Sequence, residues 1–96
     1  MPNIRQTKIY ADWFAGLRDL RAQARINVRI RRLSLGNPGD VKSVGEGVRE
    51  MRVDYGPGYR VYFIQREAEF VILLCGGDKG SQAADIGRAK VLARQE

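Results

Sequence analysis

An alternating stretch at residues 49–63 constrains the fold more than any other part of the chain. It reads REMRVDYGPGYRVYF, in which polar and apolar residues alternate on both sides of a Gly-Pro-Gly turn. This alternation is typical of strands with one buried face, and the turn predicts an antiparallel hairpin. The register that keeps one face apolar pairs Asp54 with Arg60 across a five-residue loop and places Val53 opposite Val61.

The polar face of this predicted hairpin holds two arginines close together. Glu50, Arg52, Arg60 and Tyr62 share the face, and cross-strand neighbours lie about 5 Å apart. Two arginines at this spacing can grip one anion, because each guanidinium donates two parallel bonds to a phosphate. A solvated face with Glu–Arg and Asp–Arg pairs explains the same pattern. Both interpretations stay open on these residues alone.

The rest of the chain predicts an α+β protein. Residues 41–48, VKSVGEGV, are glycine-rich without a clear period and are predicted to form a loop. The resulting order, β-α-α-β-β-β-α, predicts a small twisted, mostly antiparallel sheet with an N-terminal helical hairpin and a C-terminal helix. A length of 96 residues favours a single domain, 1–96. The predicted elements are a strand at 3–7, a helix capped by Thr7, a helix at 20–35 capped by Asp19, strands at 48–54, 60–66 and 70–75, and a helix at 81–95 capped by Ser81.

The stretch CGGDKGSQ follows the last predicted strand and precedes the last predicted helix. Its glycines allow the backbone to approach a ligand closely. A helix beginning at Ser81 would offer unpaired N–H groups to an anion, and Lys79 adds a positive charge. The stretch lacks the spacing of a Walker A loop. The stretch is predicted to lie beside the hairpin and to form a second positively charged surface there.

A ridge of arginines follows one stripe of the second predicted helix. A charge run of this kind is usually a solvated face, but its density is also suited to tracking a nucleic-acid backbone. The net charge of +6 and the pI of about 10.0 favour an anionic partner, either nucleic acid or an acidic protein. The residues assigned to RNA binding are Arg21, Arg25, Arg29 and Arg32.

Several classes of protein are disfavoured by composition. The chain has no histidine and one cysteine, Cys75, so a zinc site or a histidine-based hydrolase is not expected, and no metal or cofactor is predicted. Cys75 is interpreted as a small buried hydrophobe. The N-terminus has no apolar stretch of signal-peptide length, and the run FVILLC is too short to cross a bilayer. A cytoplasmic protein that does not associate with membranes is the expectation.

Four segments of the chain together resemble the RelE/ParE superfamily of toxins. They read ADWFAGLRD, VRIRRLSLGNPGDVKSVGEGV, DYGPGYRVYF and LLCGGDKGSQAADI. They look closest to the phage-type HigB-like branch, often called addiction-module killer proteins. The resemblance implies one RelE/ParE-like domain and the toxin of a type II toxin–antitoxin module. RelE-like and HigB-like members are metal-independent endoribonucleases that cut messenger RNA, usually on the ribosome, and so inhibit translation.

The resemblance also implies roles for particular residues. Arg60 matches the family's strand arginine, Arg52 the basic residue of the preceding strand, and Lys79 the basic residue after the last strand. The two arginines would hold the scissile phosphate, and Lys79 would support the charge or the leaving group. Glu50, which stands where many RelE-like enzymes carry lysine, would be the base. Tyr62 would donate a proton or stack on a nucleobase.

The implied partners are a cognate antitoxin, often a helix-turn-helix protein, together with messenger RNA and the ribosome. Operator DNA would be reached only through the antitoxin complex. The departure at Glu50, and the lack of tyrosine or histidine after Tyr62, favour an alternative. In that alternative the chain is a ParE-like poison of DNA gyrase that binds protein and does no chemistry. A plain nucleic-acid-binding module is the third hypothesis.

Overall fold

A computed structural model describes residues 2–96, which form a five-stranded sheet with helices on both faces. The sheet order is β1-β5-β4-β3-β2; β1 and β5 are parallel and the other pairs are antiparallel. This arrangement confirms the predicted α+β class. The elements are β1 (Asn3–Gln6), α1 (Lys8–Ala15), α2 (Leu20–Ser34), β2 (Val41–Gly45), β3 (Val48–Val53), β4 (Tyr59–Arg66), β5 (Phe70–Asp78), a 3₁₀ turn (Lys79–Ser81) and α3 (Gln82–Arg94).

The prediction of a loop at residues 41–48 is wrong, because most of this segment is strand β2. It pairs antiparallel with β3, with Val41 opposite Met51. Val41 packs against the core on one side of the sheet, and Val44 packs against the core on the other. No apolar–polar alternation marks the strand, because each face has one valine and the pairing becomes irregular between Ser43 and Gly45. The order of elements is therefore β-α-α-β-β-β-β-α.

The hairpin between β3 and β4 keeps the predicted faces but not the predicted register. Arg52 lies opposite Arg60, and Val53 lies opposite Tyr59. The connecting loop is therefore residues 54–58, and the prediction that Asp54 pairs with Arg60 is wrong by two residues. A shift of two preserves the side of the sheet on which each residue lies. The two arginines are thus direct cross-strand neighbours, closer than predicted.

Helices cover both faces of the sheet. Tyr10 of α1 and Ile26 and Leu33 of α2 join one buried cluster, which includes Met51 and Phe63 of the sheet. On the other face, Ala89 and Ala93 of α3 pack against a second cluster. Its sheet members include Val48, Tyr62, Leu74 and Cys75. The face predicted to be exposed to solvent is therefore largely covered by α3. Cys75 lies in this second cluster, and the prediction that it is a buried hydrophobe is confirmed.

Two of the three predicted helix caps are confirmed. The Thr7 side chain accepts a hydrogen bond from the Tyr10 N–H at 3.0 Å, and Asp19 accepts one from the Arg21 N–H at 2.9 Å. Ser81 precedes α3 but makes no capping bond; its hydroxyl donates to Asp85 instead. None of the helices within residues 2–96 combines the length and the apolar character needed to cross a bilayer.

Candidate functional site

The arginine pair lies on the face of the sheet that α3 covers. Arg52 and Arg60 are both half-buried and lie directly opposite each other on β3 and β4. The Arg60 Nε atom is buried and has no hydrogen-bond partner within residues 2–96. A buried donor without a partner costs about 1–3 kcal/mol. An anion that accepted a bond from this nitrogen would remove that cost.

Glu50 lies beside the arginine pair and is fully buried. Its Oε1 atom accepts from Arg52 Nε at 3.1 Å. Its Oε2 atom accepts from the Tyr62 hydroxyl at 3.0 Å and from Gln82 Nε2 at 2.9 Å. Burial raises the pKa of Glu50, but the bonds from Gln82, Arg52 and Tyr62 and the charge of Arg60 outweigh burial and hold the pKa below its usual range. Glu50 is therefore an ionised carboxylate enclosed by donors, and its predicted role as base has no structural support.

Tyr62 is fully buried beneath α3. Its ring therefore has no free face for a nucleobase, and the prediction of a stacking platform is wrong. Burial, and then the hydrogen bond to Glu50, raise the pKa of the Tyr62 hydroxyl well above its usual value. The hydroxyl is held neutral and is committed to Glu50, so it is poorly placed to protonate a leaving group.

The glycines of CGGDKGSQ serve packing within the chain and not the predicted approach to a ligand. Gly76 and Gly77 lie within β5. A Cβ atom on Gly76 would collide with the Trp13 ring, and one on Gly77 would collide with Asp85. Asp78 caps the 3₁₀ turn through the Gly80 N–H at 2.8 Å. Asp78 and Asp85 thus place two carboxylates at the beginning of α3, which disfavours the predicted anion site there.

Lys79 keeps a position beside the hairpin. It is exposed in the 3₁₀ turn, and its Cβ atom lies near Gly58 of the β3–β4 loop. Asp78, its neighbour, pairs with Tyr59 at the start of β4. Lys79 is therefore one flexible side chain away from the end of the strand that carries Arg60, and its role as a supporting charge stays a prediction.

The arginine ridge of α2 lies on the other face of the sheet. Its members line an open groove of about 650 Å³, together with Ala24, Val28, Val53 and Asp54. Arg29, which the sequence assigned to RNA binding, is engaged within the chain: its Nη1 atom donates to the Arg52 carbonyl at 2.5 Å and its Nη2 atom to the Pro38 carbonyl at 3.2 Å. The groove and the Arg52–Arg60 pair are thus two separate basic surfaces, not one continuous site. The ridge residues in the groove are Arg21, Arg25, Arg29 and Arg32.

The sequence interpretation missed Gln82, the first residue of α3. Its amide donates to Glu50 and so joins α3 to β3. No sequence pattern marks this contact, because the two residues are 32 positions apart and a glutamine at a helix start is ordinary. Within residues 2–96, no three histidine, cysteine, aspartate or glutamate side chains are grouped so that they could hold a metal ion.

The fold and the site together define a small, basic α+β protein with an arginine pair on adjacent strands beneath a C-terminal helix. The same fold is present in the solution structure of the conserved hypothetical protein HP0894 from Helicobacter pylori. The TM-score is 0.52, and the sequences are 21% identical. The alignment covers 83% of this chain and 97% of that one.

The sequence comparison gives the particular family. Residues 12–95 match the model of the family described as "Phage derived protein Gp49-like (DUF891)", and the chain belongs to this family. It is a RelE/HigB-type toxin-like family, associated with the toxins of toxin–antitoxin modules. The chain is also 51% identical over 92 residues to a protein of Haemophilus influenzae described as an "Uncharacterized protein", covering 96% of this chain and 93% of that one. The resemblance to RelE/ParE-type toxins is therefore confirmed as far as membership in this toxin-like family.

Proposed function

We propose that this protein is the toxin of a type II toxin–antitoxin module, of the HigB-like kind, and that it cleaves messenger RNA on the ribosome without a metal ion. Membership in a toxin-like family supports the toxin role. The observation that carries the nuclease proposal is the arginine pair, with Arg52 opposite Arg60 and the Arg60 Nε atom buried without a partner. A phosphodiester is an anion of the right geometry to accept bonds from both guanidinium groups.

In this mechanism the RNA supplies its own nucleophile. The 2′-hydroxyl oxygen attacks the adjacent phosphorus, the bond from phosphorus to the 5′-oxygen breaks, and a cyclic phosphate and a 5′-hydroxyl form. Arg52 and Arg60 hold the phosphate and stabilise the charge of the transition state. Lys79 supports the leaving oxygen. Because Glu50 and Tyr62 are enclosed, solvent or the ribosome exchanges the protons, and positioning supplies most of the rate.

The partner in this proposal is a cognate antitoxin of the helix-turn-helix kind, and operator DNA is contacted only through their complex. The α2 groove is proposed to follow the phosphate backbone of RNA outside the cleavage site, through Arg21, Arg25 and Arg32. Arg29 contributes charge there while its guanidinium stays bound to backbone carbonyls. The proposed location is the cytoplasm, where messenger RNA and ribosomes are found.

A gyrase poison without nuclease activity is the second candidate. The observation in its favour is the enclosure of Glu50 and Tyr62, which leaves the site without an evident acid or base. A poison that works by binding needs neither group. Mapping of messenger RNA ends after brief expression separates the candidates, because only the nuclease creates new ends. Supercoiling by purified gyrase would be inhibited only by the poison.

The experiment that tests the nuclease is expression of the wild type and Arg60→Ala, each with and without the neighbouring antitoxin gene. The wild type should arrest growth and create new RNA ends, and the antitoxin should restore growth. Arg60→Ala should lose on the order of a hundredfold or more in single-turnover cleavage, as for other preorganised charge donors. Arg60→Lys should recover part of that loss, because a point charge cannot replace the guanidinium fork.

The matched control is Arg31→Ala, which removes the same charge from an exposed position of α2 that lies outside the groove. It should cut at close to the wild-type rate. Normal growth at verified high levels of soluble wild type would refute the toxin proposal. Full-speed cleavage by a folded Arg60→Ala would refute the phosphate-binding role of Arg60.

A further inference from the structure

Glu50 is the centre of a buried cluster, of which the proposed cleavage uses only Arg52 directly. One carboxylate oxygen accepts from Arg52 and the other from Tyr62 and Gln82, at distances of 2.9–3.1 Å. The three donors come from β3, β4 and the first residue of α3. A buried carboxylate with three donors is an acceptor only, and it can fix the orientation of the groups around it.

The bond to Arg52 determines which guanidinium atoms remain free. Glu50 engages Nε, the nitrogen nearest the main chain, so the two terminal nitrogens stay available to another ligand. The Arg52 side chain is 33% exposed, whereas that of Glu50 is 0% exposed. The anchor is thus buried and its guanidinium partner reaches the surface.

We propose that Glu50 is a positioning residue: its buried carboxylate fixes the Arg52 guanidinium, and through Gln82 the beginning of α3, so that Arg52 presents its terminal nitrogens to a bound phosphodiester. Without this bond, Arg52 has more rotamers open to it, and a flexible arginine loses more entropy when it binds. Glu50 therefore acts through Arg52 and not on the substrate. The identity of the ligand rests on the proposed function, but the coupling of Glu50 to Arg52 does not.

The test is a double-mutant cycle of wild type, Glu50→Gln, Arg52→Ala and the double variant. The readouts are single-turnover cleavage on ribosomes and binding of a short 2′-O-methyl RNA, which cannot be cleaved. Glu50→Gln keeps the shape of the side chain but has one acceptor oxygen in place of two. It should weaken both readouts on the order of tenfold, as for outer residues that orient metal ligands. In the Arg52→Ala background the same change should cost less than about twofold, because the residue through which it acts is gone.

Two comparisons separate positioning from proton transfer and from general charge effects. Comparison of the two readouts makes the first separation, because loss of a base would slow cleavage and leave binding of the 2′-O-methyl RNA unchanged, whereas loss of positioning weakens both. The charge control is Glu46→Gln, which makes the same change at a surface carboxylate paired with Arg94 at 2.8 Å. It should leave cleavage and binding nearly unchanged. Equal losses for Glu50→Gln with and without Arg52 would overturn the proposal.

A spectroscopic readout tests the positioning role of Glu50 even if the protein cuts no RNA. The Arg52 Nε–H resonance, assigned by its loss in Arg52→Lys, should be protected from exchange in wild type and should exchange much faster in folded Glu50→Gln. An unchanged resonance would overturn the positioning role, whatever the cleavage result. If Glu50→Gln does not fold, Gln82→Leu removes one donor and keeps the carboxylate. Gln82→Leu should weaken RNA binding by a smaller factor than Glu50→Gln, and this effect should disappear in the Arg52→Ala background. An undiminished effect in that background would refute the positioning role of the cluster.

Discussion

Replacement of Arg29 by alanine should destabilise the protein far more than replacement of its neighbour Arg25. Arg29 reaches from α2 across the end of β3 and the α2–β2 loop. Its Nη1 atom bonds the Arg52 carbonyl at 2.5 Å, and its Nη2 atom lies 3.2 Å from the Pro38 carbonyl and 3.4 Å from the Asp40 carbonyl. A hydrogen bond from a charged donor contributes about 1.5–3 kcal/mol.

The expected loss follows from the burial of these bonds. The bonds to the Arg52 and Pro38 carbonyls are partly buried, whereas the bond to the Asp40 carbonyl is long and exposed, so the short Nη1 bond contributes most of the stability. The free energy of unfolding should therefore fall by about 2–3 kcal/mol. In a chain of this length each kcal/mol lowers Tm by about 4–8 °C, so Arg29→Ala should melt at least about 8 °C below wild type.

Arg25→Ala is the matched control, because it removes the same charge from the same helix. Arg25 is exposed, and its guanidinium lies 4.7 Å from the centroid of the Tyr55 ring. A cation–π contact at an exposed site contributes about 0.5–1 kcal/mol, so Tm should fall by a few degrees at most. Both variants are to be melted by circular dichroism at neutral pH and moderate salt. Equal melting temperatures, or a less stable Arg25→Ala, would refute the assigned role of Arg29.

Three other changes have expected outcomes that melting experiments can check. Tyr10→Phe should leave Tm unchanged or raise it, because the Tyr10 hydroxyl is buried without a partner within residues 2–96; a clear fall would mean that the hydroxyl is bonded. Gly77→Ala should lower Tm, because the new methyl group meets Asp85, whereas Gly87→Ala has open space and should stabilise α3 by up to about 1 kcal/mol; the reverse order would contradict the packing. The pKa of Glu50 is depressed in the folded state, so its ionised form stabilises the fold above the ordinary value of 4.5, and this contribution disappears as pH falls through the lower folded pKa. The Tm difference between wild type and Glu50→Gln should shrink below about pH 4.5; a constant difference down to pH 2 would contradict an ionised Glu50.

The sequence predicted the elements whose patterns are local and strong. The caps at Thr7 and Asp19 and the two faces of the β3–β4 hairpin follow from residue type and spacing. The register was missed because a shift of two residues leaves the apolar face intact, so alternation cannot distinguish the two pairings. Strand β2 was missed because it is short, ends at a bulge and has one valine in each core.

The sequence predicted which residues share the candidate site, but it did not predict how deeply those residues are buried. Arg52, Arg60, Glu50 and Tyr62 do share one face, as alternation predicted. That α3 covers most of this face depends on long-range packing, which no local pattern in residues 49–63 encodes. The same limit explains Arg29, whose side chain is long enough to leave its helical stripe and bond a neighbouring strand.

Strand β1 ties residues near the beginning of the chain to a strand near its end. Asn3 to Gln6 pair in parallel with Phe70 to Leu73, so β1 has no partner until most of the chain has been synthesised. Gln82, which completes the bonds around Glu50, comes later still. A nascent chain halted before this point carries Glu50 and both arginines, but it lacks α3 and the Gln82 amide that bonds Glu50. Under the proposed function, this order of synthesis means that interrupted translation yields fragments without a finished site, and that activity begins only once the last helix has been made.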